Sequence, residues 1–343
     1  VIGILTSGVA LGVHVPGLLL ADRLRERGAD VSVWVLERML PQETLATTAK
    51  MKWAFHRDFR VALAGQRVAR DASVAIPAEA QDAVLAAWRS RDVRKFVVFS
   101  GFWLPILARH ENADVDICHV DSVVSPSFQK TGTSLAAREI WLADAEKSTL
   151  PYSIPVTRSP PIAWQDRDRR LLVHGGGWGM GTYRERATEL RSRGFALDVI
   201  AYEQSDVRPG NAIRHFMIDP EWHPWLDDGY PPFGEVTNGE PVFTRGKGHH
   251  GSFDLTRSAI ATVSKPGGGT MLDSLWSATP SVLLEPFGAH EKRNADLWEQ
   301  LGFGISFDKW RASGFDVDMV EKLHTALLEA RDHVRDYAEV LAA

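Results

Sequence analysis

The sequence predicts an α/β protein of two similar halves, each built on a parallel sheet. Three observations carry this expectation. A strand–loop–helix–strand unit opens the chain, and a second begins after a proline-rich break. Further on, an apolar strand turns through three glycines into an amphipathic helix. Units of this kind, about thirty residues long, are the repeating element of parallel α/β sheets.

The elements follow in order. Val1–Leu5 is an apolar run that reads as a buried strand, and a loop covers Thr6–Gly12. Leu18–Arg27 reads as a helix closed by Gly28 at C′, and Val31–Leu36 as the next strand. Lys95–Phe99 and Ile117–Val120 extend the same sheet. The stretch Tyr152–Trp164, with Pro151 just before it, carries Pro155, Pro160 and Pro161, shows no periodicity and runs into the charged Asp166–Arg170, as a linker would. The pattern then restarts with strand Arg170–His174, a glycine loop, helix Thr182–Arg193 capped by Gly194, and strand Ala196–Ala201. Asp219–Asp254 is rich in Pro, Gly, Trp and His, and a loop that long inside a compact domain is functional or mobile. Ala259–Val263 is another strand, and Asp316–Leu341 reads as one charged amphipathic helix. The expected organisation is an N-terminal domain at 1–155, a linker at 156–165 and a C-terminal domain at 166–315. A C-terminal helix at 316–343 is expected to pack back on the first half.

At 343 residues the chain has core enough to need no disulfides. The single cysteine, Cys118, lies in a strand-like run; it reads as a buried structural thiol and fits a reducing, cytoplasmic setting. A formal net charge of −5 argues against a nucleic-acid-coating surface. No apolar stretch reaches the ~20 residues needed to cross a bilayer. The longest, Val9–Ala21, is interrupted by His14, Pro16 and two glycines. The chain opens in a strand pattern with no basic leader, so no secretory signal is expected. The 12 tryptophans serve either as stacking platforms for sugars and aromatic substrates or as core.

The segment Ser264–Trp276 is the most informative. After the strand, Gly267, Gly268, Gly269 and Thr270 lead into a helix whose Met271/Leu275 and Leu272/Trp276 pairs define an apolar face. Free N–H groups at such a helix start, with the positive end of its dipole, favour a phosphate or diphosphate. Asp273, expected within the first turn, is placed to accept ribose hydroxyls. Lys265 either adds charge to the phosphate or is solvated. The Gly175–Gly181 loop is no dinucleotide fingerprint, because its spacing is wrong and no acidic residue ends the next strand. His249 and His250 are adjacent and point apart, and no metal-ligand spacing accompanies them, so no metal site is expected.

Together these segments resemble the GT-B glycosyltransferases, nearest the branch of the peptidoglycan N-acetylglucosaminyltransferase and the plant galactolipid synthases. Ser264–Asp273 resembles the donor-site signature, Pro286–Ala295 (P-F-G-A-H-E-K-R-N-A) the Pro…Gln-x-x-Asn-Ala segment, and Gly8–Pro16 the glycine-rich first loop with its Gly-His-x-x-Pro element. The resemblance covers both halves, with its specific motifs concentrated between Ser264 and Ala295. Val13 replaces the glycine that commonly precedes the histidine, and Glu291 stands where many members have Gln.

The resemblance implies two Rossmann-like domains facing across a cleft, the first binding acceptor and the second a nucleotide sugar. Asp273 then binds ribose, while His290, Glu291 and Asn294 hold sugar hydroxyls, against an ordinary helix N-terminus as the competing reading. Gly176 and Gly177 face the donor phosphates, and Trp178 borders the acceptor or the sugar, with a core aromatic as the equal alternative. Phe216 and Ile218 occupy the place where backbone groups bind the nucleobase. His14 is the candidate general base. Asp121, in a His119–Ser122 element resembling His-Glu-Gln-Asn, is a second base candidate or an acceptor-binding carboxylate. Gly12, Val13, His119 and Phe102 complete the acceptor side; the run around Phe102 is an acceptor surface, a lipid contact or a buried helix start.

The implied activity is hexosyl transfer from a nucleotide-diphosphate sugar, UDP-sugar favoured, to a hydroxyl or amine. Transfer is expected with inversion and without metal or other cofactor. The acceptor is a metabolite, a carrier-bound intermediate or a lipid. A nucleotide-sugar hydrolase or epimerase, or an inactive GT-B homologue acting as a partner protein, are the alternatives.

Overall fold

The computed structural model describes residues 1–68, 71–131, 135–237 and 239–343. In the first half β1 (Ile2–Thr6), β2 (Val31–Val35), β3 (Lys95–Val98), β4 (Asp114–His119) and β5 (Arg138–Trp141) form a parallel sheet in the order β2-β1-β3-β4-β5. After β6 (Tyr152–Ser153) the second half follows. Its strands are β7 (Arg170–His174), β8 (Ala196–Ala201), β9 (Ile213–Ile218), β10 (Phe233–Thr237), β11 (Glu240–Pro241), β12 (Ala261–Ser264), β13 (Ser281–Leu283) and β14 (Gly304–Ser306). They order as β11-β10-β9-β8-β7-β12-β13-β14. β10 and β11 are antiparallel additions at one edge; the other strands run parallel. Central strands are buried on both faces and so read as continuous apolar runs, as in Leu171-Leu172-Val173.

The structure corrects the sequence reading in four places. The first helix spans Leu11–Arg25, starting seven residues before Leu18, so Gly12 and His14 are helical. Pro16 inside it looks like a breaker but costs one bond only, leaving the Gly12 carbonyl without its helical donor. Second, Asp219–Asp254 is not all loop: it supplies β10 and β11 and begins the helix Ser252–Ser258. Third, Trp164, at the end of the expected linker, and Arg167, in the charged run after it, are buried in the core.

Fourth, the terminal helix is two. Val317–Arg331 ends, β15 (Arg335–Asp336) pairs with β6, and Tyr337–Ala342 follows. Asp336 starts the new helix by accepting from the Ala338 N–H at 2.8 Å, a cap of the Asp-x-x-Glu type. This last helix packs on the first half: Tyr337 and Ala338 lie in one cluster with Ile4, Leu18 and Val97, and the Tyr337 hydroxyl donates to Asp116. Tyr230, Phe253 and Leu272 from the second half join the same cluster, so an apolar seam closes the base of the cleft. Among the described residues no helix is long and apolar enough to cross a membrane.

Candidate active-site cleft

Three glycine segments meet between the halves. The helix Gly268–Ser277 begins after Gly267, and the helix Leu11–Arg25 after Ala10; neither has a side-chain cap. Gly269 faces Gly12 so closely that a Cβ on it would lie 3.5 Å from the Gly12 Cα. A Cβ on Gly177 would lie 2.8 Å from the Leu11 Cβ. Two uncapped helix starts therefore point at one gap, with the Gly175–Gly177 loop beside it. Their first-turn N–H groups lack helical acceptors, and both dipoles present positive ends there. A side chain is excluded at Gly177 and Gly268, whereas a Cβ on Gly12 would meet nothing within 4 Å. At Gly268 a Cβ would meet the Val120 carbonyl oxygen at 2.9 Å and Asp121 Oδ1 at 3.0 Å.

Lys265 lies at the floor of this gap, buried rather than solvated, and donates to Glu291. A Cβ on Gly176 would lie 3.2 Å from its Nζ, and one on Gly267 3.4 Å away. Glu291 also accepts the Phe287 N–H at 2.6 Å. His174 accepts the Gly176 N–H at Nδ1 (3.0 Å), and burial with Lys265 nearby holds its pKa to about 3. It is thus a neutral prop for the glycine loop.

Asp273 falls in the second helical turn, not the first, because the helix starts at Gly268. Its carboxylate meets His250 Nε2 at 3.1 Å, while Ser252 Oγ lies 2.8 Å from His250 Nδ1. Burial opposes the charge on His250, but Asp273 and Asp254 outweigh it and raise its pKa. His249 turns instead to Asp254. Asn294 is fully committed: Nδ2 donates to Asp121 Oδ1 (2.8 Å) and the Pro266 carbonyl (3.0 Å), and Oδ1 accepts from the Ser122 N–H and hydroxyl. In this arrangement it ties the halves together, leaving no free group for a sugar hydroxyl.

His14 is buried. The Thr6 hydroxyl donates to the Trp34 carbonyl (3.3 Å), so it accepts from His14 Nδ1 (3.0 Å), which leaves the lone pair on Nε2. That Nε2 has no partner among the described residues. Burial, then Arg38, lowers the pKa to about 4. Asp121 is held by Asn294 and His14 by Thr6, so the two base candidates are not hydrogen-bonded to each other.

The remaining expected residues divide. Phe216 is a correction: its backbone pairs with Ile200 and Glu235 on either side and its ring stacks on Phe233, so only Ile218, at the strand end, borders the cleft. Val13 and Phe102 pack against hydrophobic clusters of the first half. His119 stacks on Trp141 at 3.9 Å and bonds Glu139. Trp178 meets Phe55 across the halves. Thr270 and His290 sit in the first turns of their helices. Two residues escaped sequence reading. Buried Glu37 accepts from Ser7 Oγ and the Gly8 and Val9 N–H groups, shaping the loop before His14. His56 meets Asp206 at 3.0 Å and lies 2.7 Å from the Gly179 carbonyl, clamping the second glycine loop to the first half. His56, Asp206 and Glu203 converge enough to hold a cation, but Arg184 and Arg57 already neutralise the carboxylates.

The depressed histidines set a pH dependence. Between about pH 6.5 and 4 the unfolded chain binds protons that folded His14 and His174 refuse, so stability falls with pH across that window. His119, His215, His223 and His324 act in the same direction and His250 opposes them. Calorimetry should show a lower Tm at about pH 5 than at about pH 7. An equal or higher Tm would contradict this.

Comparison with solved structures places the fold. SsfS6, a glycosyltransferase of Streptomyces sp. SF2575, aligns over 99% of this chain and 98% of its own at 13% identity, with a TM-score of 0.58. SnogD, a glycosyltransferase of Streptomyces nogalater, aligns over 100% and 99% at 15% identity (TM-score 0.55). MurG of Acinetobacter baumannii aligns over 99% and 97% at 12% identity (TM-score 0.53). SsfS6 is also known complexed with thymidine diphosphate. No protein-family model and no curated sequence matches the chain. The chain has the GT-B fold of glycosyltransferases, as the sequence resemblance implied.

Proposed function

We propose that this protein transfers a sugar from a nucleoside-diphosphate donor to an acceptor hydroxyl. The observation that carries the reading is the pair of uncapped helix starts at Gly12 and Gly268–Thr270 aimed at one gap over Lys265. Such a gap is suited to a diphosphate, whose charge grows as it leaves. Asp273 binds ribose. Glu291, His290 and Asn294 meet the sugar once the Asn294 latch opens. The acceptor oxygen bonds to the anomeric carbon as the bond from that carbon to the β-phosphate oxygen breaks. The bonding pair leaves with the diphosphate, and the hydroxyl proton passes to His14 Nε2. A single displacement of this kind inverts the anomeric configuration, which NMR of the product reads directly.

Calorimetric titration with uridine and thymidine diphosphates tests the donor site, with a UDP-sugar as the proposed donor. Binding of at least one is expected, weakened about tenfold by Asp273→Asn through loss of charge-assisted hydrogen bonds. Binding of neither would sink the reading.

A further inference from the structure

An aromatic pocket lies beside the gap, walled by the helix Gln42–Arg57, the Trp178 loop and the Pro220–Trp225 part of the segment between β9 and β10. We propose that it is the acceptor site and, once the halves part from this arrangement in which its free volume is about 40 Å³, takes a planar aromatic acceptor bearing both a hydroxyl and an anionic group such as a carboxylate. The proposal rests on the glycosyl-transfer reading above and names its substrate class.

Four observations support it. Trp53, Trp178, Trp222 and Trp225 supply flat apolar walls of the kind that hold ring systems. Lys52 lines the same pocket half-buried, and no carboxylate pairs with it among the described residues; its ammonium rests 5.9 Å from the Trp53 ring centroid. Asp219, also in the lining, turns its carboxylate onto the Glu221 N–H instead. An ammonium drawn out of water without a counter-ion calls for one, and burial lowers its pKa. A ligand anion restores that balance.

The third observation is a pair of orphaned atoms. His14 Nε2 and Trp222 Nε1 are both buried without partners, and their rings lie 6.4 Å apart. One lacks a donor and the other an acceptor. A hydroxyl meets both needs, giving its proton to His14 and accepting from the Trp222 N–H. Fourth, Leu11 and Gly177 line the pocket and also flank the diphosphate gap, so a ring seated there stands next to the donor. The strap that closes the pocket is fixed to the first half by Arg38 on the Pro224 carbonyl and Asp228.

The test uses hydroxynaphthoate and the uncharged naphthol as probes, titrated calorimetrically alongside uridine and thymidine diphosphates. Hydroxynaphthoate should bind, Lys52→Gln should weaken it about tenfold, and Lys52→Arg should keep most of the affinity. Naphthol should bind equally to the parent and Lys52→Gln and be weakened by Trp53→Ala. Equal hydroxynaphthoate affinity in parent and Lys52→Gln would overturn the proposal. So would a Lys52→Gln or Trp53→Ala loss confined to nucleotide, which would make this the nucleobase pocket. Nucleotide binding with neither naphthalene bound also overturns it while leaving the donor site standing. Lys52-dependent hydroxynaphthoate binding without any nucleotide binding supports the pocket and sinks the donor reading.

Discussion

Replacing His14 by alanine is expected to lower kcat about 10³-fold while leaving nucleotide affinity near that of the parent. The expectation comes from the tautomer. Thr6 Oγ1 has one proton and gives it to the Trp34 carbonyl, so the imidazole must donate from Nδ1 and keep its lone pair on Nε2. With a pKa near 4 the ring is neutral throughout the neutral range, and proton uptake happens during transfer rather than before it. Activity governed by this group is therefore lost as pH falls through about 4, with no step near 6.5. Thr6→Val should give a smaller kcat loss, because it frees the tautomer without removing the base. His14→Ala turnover within about threefold of the parent would remove His14 from the reaction. Asp121→Asn separates the candidates: its carboxylate holds Asn294, so its loss should act on closure of the halves more than on kcat.

What the sequence made legible was local. The Gly267–Gly269 turn needs only a strand before it and an apolar helical face after it, both visible within about a dozen residues. Residue types put Asp273 in the first turn, whereas the cap at Gly267 puts it in the second, a backbone choice that residue types alone do not reveal. The first helix reads shorter than it is for a similar reason. Pro16 and Gly17 look like breakers, yet the proline costs one bond, and Gly17 lets the helix lie directly against Thr6 and Ile4. Everything that depends on partners far apart in the chain was hidden. Glu37 reaches back about thirty residues to shape the loop at Gly8, and Asn294 reaches Asp121 and Ser122 from the other half. The Trp222 strap reads as irregular sequence because its order comes from the first half it packs on.

Arg167→Met is expected to lower the unfolding free energy by about 4 kcal/mol, measured by urea denaturation. The side chain, in the charged run that follows the expected linker, is buried and meets no carboxylate among the described residues. It donates to the carbonyls of Ile162 (3.1 Å), Ala259 (2.7 Å) and Ser277 (2.6 Å), and to Thr279 Oγ1 (2.6 Å). Burial, then Arg257, lowers its pKa to about 10, so it stays charged at neutral pH. Methionine conserves much of the volume and leaves those acceptors buried without donors, which isolates the polar contribution. Lysine should recover part of the loss only, because one ammonium cannot span the fork of acceptors. A loss below about 1 kcal/mol would show that the carbonyls find other partners. The position also bears on the cleft. Ser277 and Ala278 close the helix whose other end faces the diphosphate gap, and the guanidinium, with His324 2.6 Å from the Ala278 carbonyl, satisfies that negative end. The folded fraction of Arg167→Met should therefore keep its nucleotide affinity, since the helix start at Gly268 is ten residues away and its N–H groups are untouched.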